Sequence, residues 1–326
     1  MNGNFGYIIA SDFMAADGSA DVSDSLQQLI DTNPNRTIFF PDGTYLLKKP
    51  VLTPAHPEKS VDLQLSNYAV FRAADSWSSD EAMIRLGAKD TSNNIHTPGS
   101  NYSLTGGIID GAGRAKAVSI DGGRETCIRN VSIKNALIGI HIKHGANNGS
   151  SDADITGVNI VGNGALDSIG VLIEGYDNTL TNMRIADVFT GVEIRGGGNM
   201  LRNIHPLYII HPETYDRYND SVGFRIIHPM NWLDYCYSDQ FAVGFDSQGG
   251  GIMKNCFSWW YSDREDSHVA LRCCGAFKGS IDTMIVGGAQ HPDHPNRFME
   301  SETIPDDAMI EKVVMVAPDG INRRII

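Results

Sequence analysis

Gly170-Val-Leu-Ile-Glu174 and Gly191-Val-Glu-Ile-Arg195 are two copies of a five-residue pattern that recurs along the chain. The other copies are Ala117-Val-Ser-Ile-Asp121, Gly139-Ile-His-Ile-Lys143, Gly223-Phe-Arg-Ile-Ile227, Gly244-Phe-Asp-Ser-Gln248 and, more weakly, His268-Val-Ala-Leu-Arg272. Successive copies start 21 to 24 residues apart, except for two steps of 31 and 32 residues. Within a copy, apolar and polar positions alternate, which predicts a short β-strand with one buried face. The spacing predicts a solenoid whose longer steps extrude loops.

Asparagine recurs in a second column that follows these strands. It holds one position in Arg129-Asn130-Val131, Thr181-Asn182-Met183, Arg202-Asn203-Ile204 and Lys254-Asn255-Cys256. Asparagine tolerates the left-handed backbone of a tight corner, and amides stacked coil on coil can hydrogen-bond along the axis. The order strand, asparagine corner, strand and loop predicts an all-β fold, a right-handed parallel β-helix with coils about 4.8 Å apart. A β-sandwich of unrelated strands does not explain the shared register.

The composition indicates one acidic globular domain over residues 1–326. The chain is 41% hydrophobic and 20% charged, with a formal net charge of -13, which argues against nucleic acids and anionic membranes as partners. No apolar run reaches the roughly 18 residues of a membrane span, and Met1 to Tyr7 do not resemble a signal peptide. We therefore expect a soluble protein, either cytoplasmic or secreted with its leader removed. The five cysteines have no regular spacing, which predicts buried thiols.

Motifs near the N-terminus resemble the opening of the pectate-lyase-like right-handed parallel β-helix superfamily. That opening combines an acidic DG segment, a short helix containing Gln, and a strand ending in P-x-G-x-Y. The counterparts here are Asp17-Gly18, Gln27 and Pro41-Asp-Gly-Thr-Tyr45, and Gly106-Gly-Ile-Ile-Asp-Gly111 is similar to a first-coil motif of the group. We expect the helix around Asp24 to Asp31 to cover the open end of the core. The resemblance implies an enzyme or binding protein that acts on a polysaccharide or oligosaccharide.

Charged side chains concentrate on the outward positions of the five-residue copies. Seven of twelve such positions in the first six copies are charged, against two of ten in the strand after the asparagine. This polar wall, which in the resembled family lines the substrate groove, carries the candidate catalytic carboxylates Glu174, Glu193 and Asp246. In glycoside hydrolysis, one carboxyl protonates the leaving oxygen and the other activates water or attacks the sugar. The sequence thus predicts a glycoside hydrolase or transglycosylase, with inversion and retention both open.

Candidate substrate-binding residues lie on the same wall and on nearby loops. His141, Lys143, Arg195 and Arg225 share the outward columns with the carboxylates. The two long excursions, about residues 145–165 and 207–222, predict binding loops on a rigid scaffold. Aromatic faces stack on sugar rings, and we predict this role for three tyrosines, Tyr176, Tyr215 and Tyr218.

Three alternatives remain open at this stage. The charges of the polar wall could simply satisfy one another as cross-strand pairs. A polysaccharide lyase would act by β-elimination on a uronate polymer, without a cofactor or with calcium on Asp121 and Glu174. A non-catalytic carbohydrate-binding or phage-fibre-like β-helix is the third alternative, and a fibre would be expected to form a homo-trimer. No metal site is predicted, because the histidines of His291-Pro-Asp-His294 lack further ligands.

Overall fold

The computed structural model describes residues 6–53, 59–87, 102–144, 150–260, 268–273, 278–288, 297–301, 309–310, 313–316 and 322–324. The chain divides into two compact units. The first unit comprises Met1–Asn163 and Glu174–Asn178, and the second comprises Gly164–Ile173 and Thr179–Ile326. The predicted motif His291 to His294 and residues 145–149 of the first predicted loop lie outside the described residues.

The first unit contains one α-helix and sixteen described strands. The helix α1 spans Ser23–Thr32, and a 3-10 turn spans Ala10–Asp12. The strands are β1 Tyr7–Ile9, β2 Asp17–Asp21, β3 Arg36–Phe40, β4 Gly43–Leu47, β5 Val51–Leu52, β6 Val61–Leu65, β7 Ala69–Ala73, β8 Ile84–Leu86, β9 Ser103–Thr105, β10 Ile108–Asp110, β11 Val118–Ile120, β12 Cys127–Arg129, β13 Ser132–Lys134, β14 Ile138–Ile142, β15 Asp154–Thr156 and β16 Asn159–Val161. They pair in parallel as three ladders, of which β5-β8-β11-β14 carries the first copies of the repeat.

The helix α1 protects the end of this ladder. Leu26, Leu29 and Ile30 are buried, and the side-chain amide of Gln27 donates to Leu52 O and accepts from Leu52 N, both at 2.8 Å. Gln27 therefore satisfies backbone groups of β5 that would otherwise be open at the edge, where strands can recruit other chains. This arrangement agrees with the covering role predicted for the helix.

The second unit holds the remaining fifteen described strands and a 3-10 helix, Pro212–Asp220. The strands are β17 Ile169–Ile173, β18 Thr179–Ala186, β19 Thr190–Ile194, β20 Met200–Leu207, β21 Val222–Ile226, β22 Trp232–Asp234, β23 Tyr237–Asp239, β24 Val243–Ser247, β25 Gly250–Trp260, β26 Val269–Cys273, β27 Lys278–Gly288, β28 Arg297–Ser301, β29 Met309–Ile310, β30 Val313–Val316 and β31 Asn322–Arg324. The ladder β17-β19-β21-β24-β26-β28 is parallel throughout and carries the later copies of the repeat. The predicted parallel β-helix is thereby confirmed.

The recurring glycine has a packing cause. A Cβ atom on Gly191 would overlap Pro206 and the carbonyl of Gly223, and one on Gly223 would overlap Ser238. Strands of neighbouring columns thus approach too closely inside the coil for any larger residue. The residue after the glycine has room for a large side chain. Phe224 and Phe245 occupy this position in two copies and stack with ring centroids 4.9 Å apart.

The asparagine corners adopt the predicted left-handed backbone. Asn130, Asn182, Asn203 and Asn255 have φ between 51° and 55°. Asn203 Nδ2 donates to Asn182 Oδ1 at 2.9 Å, which is one rung of the expected amide ladder. Three of the cysteines, Cys236, Cys256 and Cys273, are buried thiols, while Cys127 is half-buried.

Candidate functional site

The outward charges of the second unit form one registered row. Along the ladder, Leu172 pairs with Glu193, Glu193 with Arg225, Arg225 with Asp246, and Asp246 with Arg272. Parallel pairing puts side chains of equal register on the same face of the sheet. The predicted catalytic residues Glu193 and Asp246 therefore lie on the same face, with the strand of Arg225 between their two strands.

Arg225 joins these two carboxylates. Its Nη1 lies 3.3 Å from Glu193 Oε2, and its Nε lies 3.3 Å from Asp246 Oδ2. Arg195 approaches Glu193 from the same strand, with Nε and Nη2 at 2.7 and 2.6 Å from Oε1. Gln248 Nε2 also donates to Asp246, at 3.4 Å. Both oxygens of Glu193 thus contact a guanidinium group.

The polar wall is less open than the alternation of the sequence suggests. Glu193 is 5% exposed and Asp246 is 4% exposed, although both point outward. The guanidinium groups that cover them are more accessible, since the side chain of Arg195 is 46% exposed and that of Arg225 is 28% exposed. A ligand approaching this surface would therefore meet the arginines first and the carboxylates behind them.

Glu174 belongs to the first unit, where it pairs with His141. His141 Nε2 lies 3.0 Å from Glu174 Oε2, and the backbone N–H of Glu174 donates to Ile142 O. Burial lowers the pKa of His141 below its ordinary value, and the hydrogen bond to Glu174 only partly opposes this effect. Its other ring nitrogen, Nδ1, is buried without a hydrogen-bond partner among the described residues.

Lys143 lies in a second group of charges in the first unit. It contacts Glu81 and lies 3.7 Å from Asp121 Oδ1, while Arg85 Nη2 lies 2.6 Å from Asp121 Oδ2. The hydrogen bond from Lys143 holds the pKa of Glu81 below its usual range, against the effect of burial.

Glu81 and Arg85 were not among the residues predicted from the sequence. Strand β8 is an earlier rung of the same ladder, with Arg85 paired to Ser119, but it lacks the glycine that begins most of the other copies. The alternation in Ile84-Arg85-Leu86 was the available signal.

The calcium site considered for a lyase does not fit these contacts. Asp121 is 4% exposed and already held by Arg85 and Lys143, and Glu174 is engaged by His141. Calcium requires six to eight oxygen ligands, and these two carboxylates cannot supply that number. Elsewhere in the part of the chain that the structure describes, no three His, Cys, Asp or Glu side chains gather as metal ligands.

The three predicted tyrosines differ in their surroundings. Tyr215 is 47% exposed in the 3-10 helix, and Tyr176 contacts the ring of His144 edge-on, with centroids 5.8 Å apart. Tyr218 is 1% exposed, and its hydroxyl donates to Gln240 O at 2.7 Å. Because its ring is enclosed, Tyr218 is not accessible for stacking on a sugar ring as the sequence predicted. It anchors the loop to the coil instead.

None of the helices that the structure describes has the length and apolarity needed to cross a membrane.

Comparisons with known proteins agree with this architecture. The model of the family described as rhamnogalacturonase A/epimerase, pectate lyase-like, matches residues 11–206. No curated protein matches the chain.

Several solved structures share the fold at low sequence identity. The N-terminal fragment of bacteriophage Phi29 gene product 12 has a TM-score of 0.65 and 14% identity, over 97% of this chain and 67% of that one. An alginate lyase from Paenibacillus sp. str. FPU-7 has a TM-score of 0.61 and 13% identity, over 91% and 99%. The ORF18 protein of Geobacillus virus E2 has a TM-score of 0.63 and 13% identity, over 95% of this chain but only 61% of its own length. The tailspike protein of E. coli bacteriophage HK620, solved with a pentasaccharide, has a TM-score of 0.60 and 10% identity, over 94% and 67%.

These similarities establish the fold, and the family match covers more than half of the sequence. The chain belongs to the rhamnogalacturonase A/epimerase, pectate lyase-like family of parallel β-helix proteins.

Proposed function

We propose that this protein acts on a polysaccharide as a glycoside hydrolase, with Glu193 and Asp246 as the reacting carboxylates. The observation that carries the proposal is the convergence of both side chains on Arg225, on one outward face of the ladder. Family membership supports a carbohydrate as the substrate class. Two of the similar structures are an alginate lyase and a tailspike solved with a pentasaccharide, which is consistent with that class.

The spacing of the two carboxylates suits an inverting reaction. Two rungs of about 4.8 Å separate their Cα atoms by about 9.6 Å. Because both side chains lean toward Arg225, we expect the carboxyl groups to lie closer than this, within the range of about 6.5 to 9.5 Å that goes with inversion. That separation leaves room for the attacking water.

We assign Glu193 as the general base and Asp246 as the general acid. Glu193, whose oxygens face Arg195 and Arg225, would take a proton from water as the water oxygen attacks the anomeric carbon. In the same step the protonated form of Asp246 would donate its proton to the leaving glycosidic oxygen. Arg195, the most exposed cation of the row, would bind hydroxyl or carboxylate groups of the chain that is cleaved.

Glu193→Gln and Asp246→Asn test this assignment, with Asp216→Asn as the matched control. Asp216 is an exposed carboxylate of the same unit, in the 3-10 helix. The two site variants should lose about 100-fold or more of the release of reducing ends, since general acid or base groups contribute about 10²- to 10⁴-fold. Unchanged activity in both variants would overturn the proposal.

Non-catalytic carbohydrate binding is the second candidate, and the burial of both carboxylates favours it. A row in which every buried carboxylate meets an arginine can serve stability alone. Binding without bond cleavage across a broad panel of polysaccharides would select this function. Appearance of unsaturated uronate would instead select β-elimination, the lyase alternative.

The homo-trimer expected for a fibre-like protein stays a prediction. On the outward face of β23 and β25, Tyr237, Phe257 and Trp259 form a row with ring centroids 4.9 and 5.4 Å apart. Such a row would suit a subunit contact. Light scattering would test it, since a trimer has three times the 35.5 kDa of one chain.

A further inference from the structure

A tyrosine replaces asparagine at one corner of the second unit. Thr181 pairs with Arg202, Arg202 with Asp234, and Asp234 with Lys254, so the residues that follow each of them are equivalent. Those corner residues are Asn182, Asn203, Tyr235 and Asn255, with φ of 55°, 54°, 53° and 51°. Tyr235 therefore adopts the same left-handed backbone as the asparagines.

Tyr235 is an unfavourable choice for this corner on structural grounds alone. The left-handed region suits asparagine and is rare for bulky residues. Tyr235 also interrupts the amide ladder, because a phenol cannot continue the hydrogen bond that Asn203 makes to Asn182. Its side chain gains little from burial, since the residue is 57% exposed. Strained residues of this kind cluster at ligand-binding positions.

Tyr235 is one of the residues that line a surface hollow. The hollow has a volume of about 520 Å³ and is lined by Thr181, Asn182, Arg202, Asn203 and Tyr235. This volume lies in the range of small-molecule sites. These residues carry an aromatic ring, two side-chain amides and a guanidinium. Arg202 has a side chain that is 61% exposed and lies 3.4 Å from Asp234.

We propose that this hollow binds a sugar ring of an oligosaccharide, at a site separate from the row of Glu193, Arg225 and Asp246. The pyranose face would stack on Tyr235, as apolar sugar faces do on aromatic rings. The guanidinium of Arg202 would donate hydrogen bonds to hydroxyl or carboxylate oxygens of the sugar, and the amides of Asn182 and Asn203 would donate to or accept from its hydroxyl groups. The asparagine ladder supplies polar groups, and the single substitution to tyrosine supplies the stacking surface.

The test is binding of hexasaccharides of cellulose, xylan, galacturonan and alginate, measured by calorimetry on the full chain. Asp246→Asn is the background, so that cleavage does not consume the ligand. Tyr235→Asn in this background restores the corner residue and removes the ring, and Tyr68→Asn removes a tyrosine that is 74% exposed in the first unit.

We expect at least one hexasaccharide to bind the background protein. Tyr235→Asn should weaken this binding about tenfold, Tyr235→Phe should retain most of it, and Tyr68→Asn should leave it unchanged. Binding of none of the four, or equal binding with and without the Tyr235 ring in folded protein, would overturn the proposal. The binding result does not depend on catalysis, because the proposed hydrolase activity is tested separately, by the release of reducing ends by the parent protein.

Discussion

Replacing Arg225 by methionine should destabilise the protein through the two carboxylates that it leaves behind. Glu193 and Asp246 are 5% and 4% exposed, and Arg225 is the cation between them. Methionine keeps the unbranched shape of the side chain and removes its charge. Glu193 retains Arg195, whereas Asp246 loses one of its charged neighbours.

The magnitude follows from burial and distance. Removing one partner of a fully buried ion pair costs about 3 to 5 kcal/mol. Arg225 is 28% exposed, its contacts are 3.3 Å long, and Arg195 still compensates Glu193, so we expect about 2 kcal/mol. Arg217→Met is the matched control, because Arg217 pairs with Asp220 where both side chains are more than half exposed. It should cost less than about 1 kcal/mol.

Urea denaturation of the parent protein, Arg225→Met and Arg217→Met at pH 7 measures both losses. A loss for Arg225→Met no larger than that for Arg217→Met would contradict the prediction.

Three further predictions concern other parts of the fold. Tyr235→Asn should raise the free energy of unfolding by about 1 kcal/mol in urea, since it relieves a strained corner, and a loss of stability would contradict this reading. Gln27→Leu should cost about 2 kcal/mol in the same assay, because two hydrogen bonds to the end strand disappear; an unchanged midpoint would count against the covering role of the helix. His141 should titrate below 6.5 by NMR. Its depressed pKa in the folded state means that stability present above 6.5 falls as the pH drops through the folded value, a dependence that His141→Gln should remove.

The strand columns were predictable because their cause is local and repeated. Alternation over five residues sets which side chains face inward, and the spacing of the copies sets the register between Glu193, Arg225 and Asp246. The corners at Asn182 and Asn203 followed from the conformational tolerance of asparagine. The helix with Gln27 was predictable from its motif, and the structure supplies the reason, a pair of hydrogen bonds to the end strand.

Burial and side-chain pairing were not predictable in this way. Alternation shows that Glu193 points outward, but its burial depends on arginines from its own and the next strand. Arg85 was missed because its strand lacks the marker glycine. Tyr235 was not predicted as a corner residue because the corners were identified by their asparagines. Only the register of β20, β22 and β25 shows that Tyr235 is equivalent to Asn203 and Asn255.

Release of reducing ends from neutral and uronate-containing polysaccharides would test whether Glu193 and Asp246 cleave glycosidic bonds. Ultraviolet absorbance is followed in the same samples, and activity is divided by the folded fraction, because Glu193→Gln and Asp246→Asn each alter a buried carboxylate. We expect new reducing ends without unsaturated uronate. Their rate of release should fall about 100-fold or more in Glu193→Gln and Asp246→Asn and stay unchanged in Asp216→Asn. Reducing ends accompanied by unsaturated uronate, or full activity in both site variants, would contradict this expectation.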